Sequence, residues 1–291
     1  MKYAVKDRRP RFAALALILC VSLNALASPV PDNRRKDETR KLPFAPAEEL
    51  VYEGEFTRNF LIRGLNIAEL RFTAGRAETP KAQAKNGTAP LLFTIEAFSK
   101  GLLRKLFGVN FRQHIESTVE PNSFAVLQTT KLDEQGKRKR TSEAVFDRTT
   151  GKVVWTERDP NDPNREPRVV TSEMSGAVQD IASVFYYLRT QPLEPGKSFE
   201  VLVSDSGRVY SVPVVVSEKK KMKTVLGNVE TLKVEPEVFG EGRLLRGKGK
   251  LTIWFTADAR HVPVRAKINN ELGSLDIKLK RMTTGPALAR N

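Results

Sequence analysis

Gly249-Lys250-Leu251-Thr252-Ile253-Trp254-Phe255, residues 249–255, sends Leu251, Ile253 and Phe255 to one side and Lys250, Thr252 and Trp254 to the other. Successive side chains of an extended chain point to opposite faces, so a period of two reads as a strand with one buried face. The rhythm continues outward in both directions. Downstream, Val262, Val264, Ala266 and Ile268 alternate with Arg265 and Lys267, then Leu275, Ile277 and Leu279 with Asp276 and Lys278. Upstream, Leu232, Val234 and Val238 oppose Thr231, Lys233, Glu235 and Glu237 over 229–238, and Phe199, Val201 and Val203 share a side over 199–203. Further back, Phe111, Ile115 and Val119 share a face with Gln113 and Ser117, leaving Arg112, His114, Glu116 and Thr118 on the other. One apolar and one polar face per strand is the mark of antiparallel sheet covered on one side.

Glycine-containing reversals separate these runs at Glu134-Gln135-Gly136-Lys137, Thr149-Thr150-Gly151, Asp205-Ser206-Gly207 and Leu226-Gly227-Asn228. Roughly a dozen strands joined by short turns give a meander. The expected fold is mostly β: a large curved antiparallel meander sheet or open barrel with one mid-chain α-helix packed against it. The helix is expected between Asp180 and Arg189, where Ile181, Val184, Phe185 and Leu188 make an i, i+3, i+4, i+7 stripe. Asp180 is placed to cap it, and Pro192 stops it. Residues 75–90 and 158–167 read as longer surface loops.

The amino terminus has a different character. Lys2, Lys6, Arg8, Arg9 and Arg11 precede an apolar run from Phe12 to Leu23 and a small-x-small site at Ala25-Leu26-Ala27. This is the pattern of a cleavable signal peptide, with the cut after Ala27 and no transmembrane segment left after cleavage. The expected organisation is 1–27 signal peptide, 28–42 disordered lead, 43–283 a single β-rich domain, and 284–291 a tail. The expected location is periplasmic or otherwise extracytoplasmic. Cys20, the one cysteine of 291 residues, falls in the removed segment behind Ile18 and Leu19, which are not the small residues that lipidation needs. The mature chain from Ser28 then has no thiol for a disulfide or a thiolate metal site. The formal charge of +15 stays clearly positive after cleavage. Outside the cytoplasm its anionic neighbours are lipid head groups and acidic polymers, not nucleic acid.

At this point several segments carry a likeness. Leu42-Pro43-Phe44 with Glu49-Leu50-Val51-Tyr52 resembles the opening of an exported bacterial family known as domain of unknown function 3108. Gly101-Leu102-Leu103, Tyr186-Tyr187-Leu188-Arg189 followed by Leu193-Glu194-Pro195-Gly196-Lys197, residues 227–236, and Trp254-Phe255-Thr256-Ala257-Asp258 leading to Pro263-Val264-Arg265 are similar to later parts of it. The likeness runs over about 42–282. It implies antiparallel β architecture and an envelope location, and no activity.

Chemistry-bearing motifs are sparse. There are two histidines, His114 and His261, and no H-E-x-x-H. A metal site wants more ligands at short spacing, so no metal and no cofactor is expected. There is no G-x-S-x-G and no phosphate-cradling glycine loop. Ser172, Ser175 and Ser183 read as turn and capping residues. Glu235 and Glu237 sit beside Lys233, where ion pairing is the plainer account. The basic clusters 138–140, 219–223 and 243–250 read first as hairpin tips and sheet edges, and second as a patch for anionic head groups. In 100–109, Leu102, Leu103, Leu106 and Phe107 oppose Arg104 and Lys105. They mark a ligand lid, a short membrane-touching turn, or a connector on the core.

Three readings follow. The first is a non-enzymatic envelope protein holding an apolar or amphiphilic ligand, with lipid as partner and peripheral membrane contact. The second is a structural or partner-binding module, with Trp254 and Tyr210 as anchors. The third is an enzyme with an unrecognised site involving His114 or His261.

Overall fold

A computed structural model describes residues 42–58, 62–77, 89–100 and 110–285. The expected signal peptide, the lead up to residue 41, most of the 75–90 loop and the tail beyond 285 lie outside the described residues. So do Leu102, Leu103, Leu106 and Phe107.

Fourteen strands form one antiparallel sheet. They are β1 (Glu48–Thr57), β2 (Leu65–Arg76), β3 (Leu91–Ser99), β4 (Phe111–Val119), β5 (Val126–Gln135), β6 (Arg138–Asp147) and β7 (Lys152–Arg158). After these come β8 (Arg168–Glu173), β9 (Ser198–Asp205), β10 (Arg208–Thr224), β11 (Gly227–Pro236), β12 (Gly249–Thr256), β13 (Pro263–Asn270) and β14 (Gly273–Thr284). Neighbours in sequence are neighbours in space, with one exception: β1 pairs with β14, so β8 and β9 become the two ends of the sheet. Among the described residues the expected meander with one helix is what forms.

The sheet curls so that its ends approach without pairing. The segment before the helix bridges them. Gln179 makes a parallel bridge to Val203, with its N–H on Leu202 O at 2.8 Å and its carbonyl accepting from Ser204 at 2.7 Å. On the other side Val126 N–H reaches Val178 O at 3.3 Å, and the Gln179 side chain donates to Phe124 O at 2.7 Å. The β9–β10 turn then lies on the inner side of β7 and β8. At Gly207 (φ +75°) an added Cβ would stand 2.7 Å from Trp155 Cβ and 2.9 Å from Val170 O, so only glycine fits.

Helix α1 spans Ser183–Arg189, two residues shorter at its start than the sequence stripe indicates, and its N-cap is Ala182 rather than the expected Asp180. Asp180 does bond the chain there: its carboxylate accepts from the N–H groups of Ala182 (3.0 Å) and Ser183 (2.7 Å) and from the Thr129 hydroxyl on β5. The Ser183 hydroxyl accepts from Asp180 N–H at 2.9 Å. The buried helix residues are Ser183, Tyr186, Leu188 and Arg189, not the expected stripe alone. A helix wrapped by a curved sheet has no solvent face, so its polar side is buried too. Tyr186 stacks on Phe93 at 4.2 Å and meets Phe44 edge-on at 5.1 Å, while Phe185 meets Phe72. Such ring pairs each add about 0.5–1.5 kcal/mol beyond area burial.

Arg189 makes the deepest polar contact. Its guanidinium forks onto both carboxylate oxygens of Glu48 and also donates to Pro43 O (3.1 Å) and Arg260 O (3.0 Å). The His261 ring lies 3.0 Å from Arg189 O. Glu48 is 1% and Arg189 2% exposed. The pair therefore ties the chain entering β1, the end of α1 and the β12–β13 loop together, out of reach of any solute.

Candidate functional site

Strand pairing decides which residues face inward. Directly opposite residues of an antiparallel pair share a face, and Leu50 and Tyr52 mark the inner face of β1 by their burial. At the end of the sheet occupied by α1 the concave face is closed: Phe93, Phe124, Val234 and Phe255 are 0% exposed. A void of about 40 Å³ remains, lined by Ile115, Lys131, Trp155, Ile181 and Ser204. That is room for a water or two, not a ligand.

The opposite end differs, for a simple reason of length. Seven helical residues rise only about 10 Å. The ten residues of β1 extend over about 34 Å. One short helix cannot fill the concave face from end to end. Beyond it lies a row of inward apolar side chains, each opposite the next across the strands: Leu251, Ile268, Leu275, Phe56 and Leu65. All five are only half-buried. The next row inward alternates large and small residues, with Ile253 opposite Ala266, Ala266 opposite Ile277, Ile277 opposite Gly54, and Gly54 opposite Ala68. An added Cβ on Gly54 would come within 3.5 Å of Leu275 Cδ1 and Ala68 Cβ, so Leu275 leans over Gly54, and the small residues let the outer row settle toward the sheet. The result is a shallow apolar basin over five strands. Four inter-strand spacings make it about 19 Å across.

Along β5 and β6 the concave face turns polar from the void toward the open end. Lys131 stands opposite buried Ile115 and opposite Ser142, and Asp133 stands opposite Gln113 and Arg140, so these side chains belong to the concave face. Arg140 pairs with Asp159, which fastens the 158–167 loop, and Arg138 pairs with Asp133 at 3.0 Å. Lys131 forms no ion pair among the described residues. At the rim, a cleft of about 520 Å³ opens among Ser99, Asn110, Phe111, Arg112, Lys137 and Asn161. The Ser99 hydroxyl accepts from Phe111 N–H at 3.2 Å, and Asn161 donates to Lys137 O at 2.9 Å. Arg112 and Lys137 carry no carboxylate partner among the described residues. Apolar floor and cationic polar rim thus share one end of the sheet.

The convex face holds the expected alternation of charges. His114 lies 3.1 Å from Glu116 and 3.4 Å from Glu96, on that outer face. Among the described residues no group of three or more His, Cys, Asp or Glu comes together as a cation cage. Glu235 pairs with Lys250 at 2.6 Å and Lys233 at 3.4 Å, and Glu237 with Arg243 at 3.3 Å, as their spacing suggests. Trp254 lies beneath Arg265 at 5.3 Å, while Tyr210 packs against the core cluster of β9–β12 and is no outer anchor.

Asp276, 2.7 Å from Arg265 and 3.4 Å from Lys278, shows what this face does for stability. Burial pushes its carboxyl up, but the Arg265 fork and Lys278 outweigh that and hold it below the usual range. A depressed folded-state pKa contributes stability that is complete above the unfolded value of about 4 and is lost as pH falls toward the folded value. Urea midpoints are therefore expected to fall between pH 6 and pH 3, and by less in Asp276→Asn. An equal fall in the variant would assign the acid sensitivity elsewhere.

With this geometry in view, comparison with known proteins gives a consistent answer. The family model described as "Protein of unknown function (DUF3108)" matches residues 55–280. The chain belongs to this family. No curated protein matches it. Among solved structures, this DUF3108 chain is similar to a β-barrel-like protein of domain of unknown function DUF1849 from Brucella abortus. The TM-score is 0.53 at 11% identity, covering 84% of this chain and 100% of that one. At that identity the likeness shows the fold alone. No helix among the described residues is long and apolar enough to cross a membrane.

The apolar basin is a site that alternation did not reveal. Leu251, Ile268 and Leu275 stand out in the sequence as core candidates, but only strand register aligns them with Phe56 and Leu65 above Gly54, Ala68 and Ala266.

Proposed function

We propose that this DUF3108 protein is an exported, non-enzymatic envelope protein that holds a single-chain amphiphile in the basin at the open end of its concave face. The observation that carries the reading is the continuous half-buried apolar row from Leu251 to Leu65, next to an inner row in which Gly54, Ala68 and Ala266 alternate with Ile253 and Ile277. A contiguous, partly accessible apolar surface with polar groups at its rim is the usual form of a ligand site. The row's ~19 Å breadth suits one acyl chain, since a leaflet of a ~30 Å hydrocarbon core is about 15 Å deep. Lys137, in the rim cleft at this end, supplies positive charge for an anionic head. Export rests on the basic, apolar and small-x-small order of residues 2–27.

A fluorescent single-chain fatty-acid analogue tests the binding. Saturable uptake of one molecule per chain is expected, displaced by the unlabelled acid. Ala266→Phe, which raises the floor at a half-buried position, is expected to weaken uptake at least about tenfold. Lys267→Ala, on the outer face, is expected to leave it unchanged. Non-saturable uptake, or equal uptake by Ala266→Phe with its fold intact, would remove the reading. Fractionation of cells with mass measurement of the amino terminus tests export: the extracytoplasmic fraction should hold a chain starting at Ser28.

One observation favours the partner-binding reading. Val145 (46%), Val154 (38%) and Val169 (58%) are exposed on neighbouring strands next to the free edge of β8. Crosslinking in cells that captures a partner at these three positions would support it.

A further inference from the structure

The longest strand has only one neighbour for half its length. β10 has 17 residues and β9 only 8, and their pairing stops at Val215 opposite Ser198. Past a register shift at Val216–Glu218, the strand runs on beside β11 alone. β11 in turn meets β12 only from Thr231 to Val234. Lys221 to Glu230 is therefore a two-stranded arm, held to the sheet by the Ala257 N–H bond to Glu230 O (2.8 Å) and by Leu226, which packs beside Val262 and Val264. The tip is ordered: the Thr224 hydroxyl accepts from Leu226 N–H at 3.0 Å and donates to Gly227 O at 3.1 Å.

Lys219 and Lys220 at the base of the arm, and Lys221 and Lys223 on it, are all exposed. Lys219 pairs with Glu230 at 2.7 Å. Lys220, Lys221 and Lys223 have no ion-pair partner among the described residues. Beyond them Val225 is 52% exposed at the tip, with Met222 half-buried behind it. Lysines on an unpaired edge block strand addition, and that alone would account for charge here. It does not account for a branched apolar side chain displayed at the end of the same arm. Cations flanking an apolar tip are the composition that settles at the boundary of head groups and acyl chains.

We propose that the β10–β11 arm docks the protein on an anionic lipid surface, with Lys220, Lys221 and Lys223 among the head groups and Val225 at the acyl boundary. An acidic polymer would use the lysines but not Val225, and the lipid surface is the one partner that uses both. This inference does not depend on ligand binding. The arm's tip and the basin lie at opposite ends of the strands, so a docked molecule presents its basin away from the surface.

Purified protein, verified by mass to lack residues 1–27, is sedimented with vesicles of phosphatidylcholine alone or mixed with phosphatidylglycerol, at about 0.1 M and about 1 M salt. Binding is expected on the mixed vesicles at the lower salt only, because screening shortens the Debye length from ~10 to ~3 Å. Replacing Lys220, Lys221 and Lys223 together by Gln should weaken it about 100-fold, given about 1 kcal/mol per lysine near such a surface. Val225→Ser should weaken it several-fold and leave its salt dependence unchanged. Arg246→Gln/Lys248→Gln, at the other end of the sheet, should bind as the parent does. All replaced side chains are exposed, so melting curves should be unaltered. Equal binding to both vesicle types, no loss in the triple variant, or salt-sensitive binding to polyphosphate with Val225→Ser indistinguishable from the parent would each overturn the proposal.

Discussion

Arg189→Ala is expected to destabilise the protein by about 3–5 kcal/mol, the usual cost of leaving one member of a buried ion pair alone. The loss is large because Glu48, 1% exposed, would keep its carboxylate with no cation in contact, and Pro43 O and Arg260 O would lose their donors. Urea unfolding followed by tryptophan fluorescence measures it. Two companions separate the pair from its setting. Glu48→Leu/Arg189→Met removes both charges and should recover much of the loss, because apolar replacement of a whole buried pair is often neutral. Tyr186→Phe should cost almost nothing or stabilise slightly, since the Tyr186 hydroxyl is buried without a hydrogen-bond partner among the described residues. A loss under about 1 kcal/mol in Arg189→Ala would mean that water reaches Glu48 and that this end of the sheet is not sealed.

Gly207→Val tests how the sheet is held curled. The position combines φ +75° with Trp155 Cβ and Val170 backbone within 2.9 Å of the added carbon. The positive φ costs a branched residue about 1–2 kcal/mol, and overpacking adds about 1–3 kcal/mol. The expected total is about 2–5 kcal/mol. Because no β8–β9 ladder exists, the β9–β10 turn and the Val178–Asp180 bridge do the closing. Hydrogen exchange in Gly207→Val should therefore rise at Gln179 and Ser204 more than in the β1–β2 ladder. Uniformly raised exchange would mean that the seam is not a separate unit.

Much of the fold was legible in the sequence because a half-covered antiparallel strand leaves a local signature. Residues 249–255 and 262–268 announce β12 and β13 within a residue or two, and the 180–189 stripe announces α1. Asp180 was recognisable as a residue that binds N–H groups where the helix begins, although the N-cap itself is Ala182. The rest depends on register, which is set by long-range pairing. Nothing local pairs β1 with β14, yet that pairing makes β8 and β9 the ends and brings Phe56 beside Leu275. The inward direction of Lys131 and Asp133 was hidden for the same reason: β5 reads as polar on both sides, because its inner face passes from core to open rim along its length. Glu48 and Arg189, far apart in sequence, look like surface residues until the curl closes over them. The signal that could have exposed the basin is the row of small residues, Gly54, Ala68 and Ala266, each in an otherwise bulky inward pattern.

The basin is the central claim, and native mass spectrometry of the protein taken from the envelope fraction without detergent addresses it most directly. A discrete added mass in the range of a single-chain amphiphile, absent from Ala266→Phe, is the result expected. A clean unliganded mass, unchanged after incubation with such an amphiphile, would contradict it and leave the exposed valines beside β8 as the surface to pursue.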